Sequence, residues 1–193
     1  ATEITYTPDL DYCNDPPGTA PDTFDYTLSP GGSTATVSVT VSCVNDPPVV
    51  ADVAFTGADS AIGNTALVVN DPSDGPPTVS GLHKSISGDI LAGATDVDGP
   101  GPPVVVAETI TTDDGGTVTI EADGDFVFTP AAGTSCTDSS DSFVYTVTDQ
   151  HPAEPATGTG RVTVALTDCV WYVDNPAAGD GTYELGKLPV TVA

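Results

Sequence analysis

Chemistry at neutral pH is most simply run by a histidine base, a serine on a strained elbow or an activated cysteine. The only histidines are His83, set between Leu82 and Lys84 in a polar stretch, and His151, which precedes Pro152. No G-x-S-x-G elbow accompanies them, so both read as surface histidines and the chain reads as no enzyme. Carboxylates are abundant instead: 28 acidic side chains face 3 basic ones, a net charge of −25. Most are Asp, which disfavours helix interiors and suits turns and hard cations. Asp96-Val97-Asp98-Gly99 places two carboxylates at i and i+2, on one side of an extended segment. From there both reach one Ca²⁺ at ~2.3–2.6 Å. Calcium takes six or more oxygens, and Asp149, Asn45 and Asp46 are the further candidates. A solvated Asp-Gly turn accounts for the same residues equally well. The spacing is not that of an EF-hand, because the third Asp and the closing Glu are missing.

Other constellations are weaker. So many acids place some pair at a glycosidase-like separation in any fold, and nothing singles one out. Trp171-Tyr172 suits a sugar platform, but one Trp at a junction is more often a packing anchor. No phosphate-binding G-x-x-x-x-G-K-[ST] occurs. The four cysteines, Cys13, Cys43, Cys136 and Cys169, allow three pairings. Four reduced core thiols or a zinc site are the other readings, but a zinc site would want a C-x-x-C or a histidine within a few residues of a Cys, and neither is present.

Charge removes whole classes of partner. Phosphate backbones are bound through clustered Lys and Arg, and here Lys84, Arg161 and Lys187 are scattered. Nucleic acid and anionic membrane surfaces are therefore excluded as partners. No run of 18 apolar residues is present to insert into a bilayer, and no leader-like segment opens the chain, which reads as a mature or excised piece.

The elements that must carry these residues are strands. Thr, Ser or Asp alternates with Val, Ile, Phe or Tyr over Ile4–Thr7, Thr23–Leu28, Thr34–Ser42, Val49–Phe55, Thr65–Val69, Val104–Glu108, Thr117–Glu121, Phe126–Thr129, Ser142–Val147 and Gly160–Leu166. Clusters drawn from 20 Gly and 18 Pro divide them. No segment keeps a helical apolar spacing for three turns. Residues 117–129 form a hairpin on this reading, with Asp123-Gly124 supplying the positive φ of its turn.

The two ends of the chain repeat each other. Asp125-Phe126-Val127-Phe128-Thr129-Pro130 matches Glu3-Ile4-Thr5-Tyr6-Thr7-Pro8, and Cys136 matches Cys13. The Asp141–Val147 run matches Asp22–Leu28, and Arg161–Val164 up to Cys169 matches Ala35–Val39 up to Cys43. Every landmark keeps its order. The repeat selects one pairing, Cys13 with Cys43 and Cys136 with Cys169, which implies an oxidising, extracellular compartment.

Residues 90–169 carry Ile90-Leu91-Ala92, Ala94-Thr95-Asp96-Val97-Asp98-Gly99, Gly115–Ile120, Ala122–Gly133 and Asp141–Asp149 in order. Through these motifs they resemble the bacterial cadherin-like and Ig-like tandem repeats of large secreted and surface proteins, and Val44-Asn45-Asp46-Pro47-Pro48 resembles the linker between such repeats. The resemblance implies an all-β fold of Ig/cadherin-like antiparallel β-sandwich repeats in tandem, bacterial, at the cell surface or outside the cell, and commonly stabilised by Ca²⁺. It favours Asp96 and Asp98 as metal ligands. The organisation expected is a C-terminal half-repeat over 1–46, a linker and β-hairpin insert over 47–80, a complete repeat over 81–169, and a following segment or donor strand over 170–193. Residues 169–182 resemble the start of a secreted parallel β-helix domain. The function expected is a stalk or filament subunit or adhesive module, whose partners are copies of itself paired head to tail through strands, or neighbouring repeats. Glycans are a further candidate partner, and an accessory or carbohydrate-binding module of a secreted β-helix enzyme is the alternative.

Overall fold

Alternation puts every second side chain on one face of a strand, and two such faces exclude water when they meet. The computed structural model describes residues 3–15, 20–99, 101–133, 139–169, 173–174 and 183–184. Its strands are β1 (Asp22–Thr27), β2 (Thr34–Val39), β3 (Val53–Phe55), β4 (Ala61–Gly63), β5 (Ala66–Asn70) and β6 (His83–Ser87). They continue with β7 (Val104–Val105), β8 (Glu108–Thr111), β9 (Thr117–Ile120), β10 (Phe126–Thr129), β11 (Ser139–Thr148) and β12 (Thr157–Cys169). Among the described residues the helical content is a single 3₁₀ turn, Gly57–Asp59.

The fold is all-β. One sheet runs β6-β5-β10-β9-β8 and faces a second that runs β3-β12-β11-β7, with β4 also on β12. Their inner faces share one core. Phe126 of β10 is met edge-on by Phe55 of β3 and Phe143 of β11, with ring centroids 5.4 and 5.5 Å away. Such offset pairs add ~0.5–1.5 kcal/mol beyond the area they bury. Val118, Phe128, Tyr145, Val147, Val162 and Val164 are fully buried around them. The expected hairpin over 117–129 is present, with Phe126 opposite Ile120 and Gly124 at φ +100° in its turn.

Three expectations are corrected. Residues 49–80 form no separate hairpin insert: β3 and β4 run parallel to β12, while β5 pairs with β10 in the other sheet. The reason is burial, since Phe55, Ala61, Leu67 and Val69 supply core that 81–169 alone would lack. The sandwich is also not purely antiparallel, because β3, β4 and the β5–β6 pair are parallel. Ile4–Thr7 forms no strand; its repeat equivalent β10 lies between β5 and β9, and among the described residues no such neighbours flank Ile4, which is 60% exposed.

The first copy is a hairpin, β1 against β2, in its own two-stranded sheet. Its register reproduces that of β11 and β12. Asp22, Phe24 and Tyr26 lie opposite Val39, Val37 and Ala35, as Asp141, Phe143 and Tyr145 lie opposite Val164, Val162 and Gly160. Beyond β12, Val173–Asp174 pairs with Tyr183–Glu184. The remaining residues of the expected 170–193 segment lie outside the described residues.

Candidate functional site

Among the described residues, the geometry that stands out lies in staples and acidic loops. Cys13 and Cys43 form a disulfide with Cα atoms 5.0 Å apart, tying the segment before β1 to the end of the strand path after β2. The same segment is held by buried Asn14, which accepts from the Val41 N–H at 2.7 Å and donates to the Val39 carbonyl at 3.2 Å. Tyr6 and Tyr12 donate their hydroxyls to the two oxygens of Asp22 at 2.5 and 2.7 Å. Those bonds hold the Asp22 carboxyl below its ordinary range, and the bond to Asp22 pushes the Tyr6 hydroxyl up to about 12. Cys169 is disulfide-bonded as well, while Cys136 lies outside the described residues.

The linker is pinned to the sandwich. Asn45 donates its side-chain amide to Asp149 at 2.5 Å and to the Glu154 carbonyl at 2.8 Å, and the Asp46 N–H reaches the Asp98 carboxylate at 3.2 Å. Val49 and Thr95 then exchange backbone bonds of 2.8 and 3.0 Å. Glycine at 158 is required by this approach, because a Cβ there would overlap the Pro48 carbonyl.

Of the expected calcium ligands, the structure joins Asn45 to Asp149 and Asp46 to Asp98, but it does not gather the set around one point. Among the described residues no three of Asp46, Asp96, Asp98 and Asp149 bring oxygens within 4.8 Å of one another. Asp149 is buried and spends its oxygens on N–H donors: His151 at 2.9 Å, Ala156 at 3.0 Å and the Asn45 amide. Burial pushes its carboxyl up, but these donors outweigh it and leave it below the ordinary range. Asp149 therefore shapes the β11–β12 loop. Asp96 accepts from the N–H groups of Asp98 and Gly99 at 3.1 and 2.9 Å, a turn, while its Oδ2 is buried without a hydrogen bond among the described residues. Burial first, then neighbouring Asp96 and Asp46, raise the Asp98 carboxyl.

A second acidic group went unforeseen. Asp74, Asp123 and Asp125 bring carboxylate oxygens within 4.8 Å of one another. Burial, above all, pushes the Asp125 carboxyl up to about 6, with the charges of Asp123, Asp74 and Asp71 adding to it against the Asp71 N–H. The Asp-Gly-Asp run at 123–125 was visible only as a turn; nothing in the chain order says that Asp74 comes to meet it. The histidines make backbone contacts, His83 Nδ1 to the Gly81 carbonyl at 3.1 Å and His151 Nδ1 accepting from the Glu154 N–H at 3.2 Å. Among the described residues, no helix is long and apolar enough to cross a membrane.

Two facing sheets, in one of which β3 and β4 run parallel to the last strand β12, make an Ig-like β-sandwich. Residues 78–165 match the family model described as a bacterial Ig domain. That span begins after β5, so β3, β4 and β5 complete the sandwich from outside it. No curated protein and no solved structure matches the chain.

Proposed function

We propose that this chain is an extracellular structural or adhesive module of a bacterial secreted or surface protein, with no chemistry of its own. The observation that carries the reading is the junction: two copies of one β-hairpin, in identical register, joined by a linker that Asn45, Asp46 and Val49 fasten to the second copy. A freely jointed linker would leave those donors to water. A fastened one transmits load from unit to unit, as a stalk or filament needs. The bacterial Ig domain match at 78–165 supports the same reading, as does the disulfide, which persists in oxidising compartments.

Neighbouring repeats, or further copies of this chain, are the partners this reading favours. The first hairpin leaves Tyr26 and Leu28 37% and 57% exposed where Tyr145 and Val147 are fully covered. The strands at 53–70 pair within their own sandwich. Calcium belongs to the reading at Asp96 and Asp98, where the unpartnered Asp96 Oδ2 supports it. The test is thiol trapping in native material. Alkylation before extraction should leave every cysteine unmodified; a bulk population with alkylated cysteines would place the protein in a reducing compartment and overturn the reading.

A further inference from the structure

Three separate turns deliver carboxylates to one end of the β6-β5-β10-β9 sheet. Asp71 and Asp74 follow β5, Asp89 follows its parallel neighbour β6, and Asp123 and Asp125 form the β9–β10 turn. The chain is built to bring them close. Asp125 Oδ1 accepts from the Asp71 N–H at 2.8 Å, which ties the turn after β5 to the start of β10. Asp123 Oδ1 accepts from the Asp125 N–H at 3.2 Å. Asp89 lies against Gly124 so closely that any Cβ at 124 would overlap its Oδ1.

One atom in this group has no protein partner. Asp125 is 0% exposed, and its Oδ2 is buried without a hydrogen bond among the described residues. A buried carboxylate oxygen left alone costs several kcal/mol when charged. Here like charges add to that cost, since Asp74 and Asp123 present oxygens within 4.8 Å. The basic side chains of the described residues are engaged elsewhere: Lys84 on the carbonyls of Ala58 and Ser60, Arg161 on Asp113 at 2.5 Å. A hard cation would satisfy several carboxylates with a buried free oxygen among them.

We propose that Asp74, Asp123 and Asp125 form a divalent cation site of the calcium class, with Asp71 and Asp89 as flanking carboxylates and water completing the shell. Calcium is favoured over magnesium because ligands drawn from separate turns make an irregular, adaptable set, and Mg²⁺ demands near-ideal octahedral geometry. The site is separate from Asp96 and Asp98 and does not depend on the structural role proposed above. Occupied, it would clamp the ends of β5 and the β9–β10 hairpin together.

The test is melting of the full chain in chelator, in CaCl₂ and in MgCl₂, with calorimetric titration of CaCl₂ alone. At a concentration ten times Kd, calcium should raise the midpoint by roughly 5 °C through linkage. Asp125→Asn should melt at or above wild type in chelator, because a repelled buried charge is gone, and should weaken calcium at least tenfold. Asp74→Asn, at an exposed position, should weaken it while leaving the chelated midpoint at or slightly above wild type, and guards against a folding defect in the first variant. The Asp96→Asn/Asp98→Asn pair should leave this response in place. No shift in wild type, a full response in Asp125→Asn, an equal response to magnesium, or loss only in the Asp96/Asp98 pair would each overturn the assignment.

Discussion

Tyr26 and Tyr145 occupy the same register position in the two hairpins, so their substitution isolates what cover contributes. Tyr145 is fully buried, and its hydroxyl lies 2.8 Å from the Ile90 carbonyl and 3.0 Å from that of Ala51. Its ring packs over Gly160, where a Cβ would come within 2.7 Å. Tyr145→Phe removes the donor and leaves the buried Ile90 carbonyl short of a partner, at a cost of about 1–2 kcal/mol. Tyr145→Ala adds a cavity and costs about 3–5 kcal/mol. For a sandwich of this size the Phe variant should lower the thermal midpoint by roughly 5 °C. Tyr26→Ala, at an exposed position, should stay within ~0.5 kcal/mol. Urea unfolding followed by circular dichroism measures both. If Tyr26→Ala costs as much as Tyr145→Ala, the first hairpin's face is covered in solution. The comparison would then refute the reading that cover, and not sequence, distinguishes the copies.

Further outcomes follow from the same contacts. Burial, then the charges of Asp52 and Asp89, push the Tyr145 hydroxyl up to about 12, so the folded state holds a proton that the unfolded state releases near 10. Stability should therefore fall between pH 10 and 12, by up to about 3 kcal/mol from this group, and the difference between wild type and Tyr145→Phe across that window should show it. Replacing Cys13 and Cys43 by Ala opens a crosslink spanning 30 residues and should cost about 3.5 kcal/mol in the first hairpin, read as lost amide-exchange protection over 22–39. Asn45→Ala should speed proteolysis at 44–48 severalfold with little change in the sandwich midpoint. Equal cleavage rates would mean the linker is not held by that amide.

What was legible in the sequence was what is local. The alternation at Phe126–Thr129 and Thr117–Ile120 and the Asp-Gly turn between them decide a hairpin within about a dozen residues. What was not legible depends on partners distant in the chain. His83–Ser87 is polar but for Ile86, so no alternation marks it; it is a strand because it lies along β5 with Ile86 turned to the core. β3 and β4 are short, and their pairing with β12 crosses most of the sandwich. The acidic sites divide in the same way. Asp96 and Asp98 stood out as i and i+2 neighbours, yet Asp125 meets Asp74 only because the β5–β10 pairing brings their turns together.

The two hairpins also bear on what sets register. A one-residue slip would turn Phe24 and Val37, or Phe143 and Val162, to the opposite face. In the second copy the apolar core opposes that slip. In the first, Phe24, Val37 and Val39 are only half-buried, and an isolated two-stranded ribbon is marginal in water. The same register is nonetheless held, and the contacts that hold it are of another kind. The disulfide fixes Cys13 to Cys43, Asn14 brackets β2 through the Val39 carbonyl and the Val41 N–H, and Tyr6 and Tyr12 anchor Asp22 at the start of β1. Asp141, the equivalent of Asp22, is buried and is bound by Thr112 and the Asp114 N–H instead. Staples at one end of the first hairpin thus do what a packed face does for the second, and reduction of the disulfide should release the first hairpin while the second keeps its pairing.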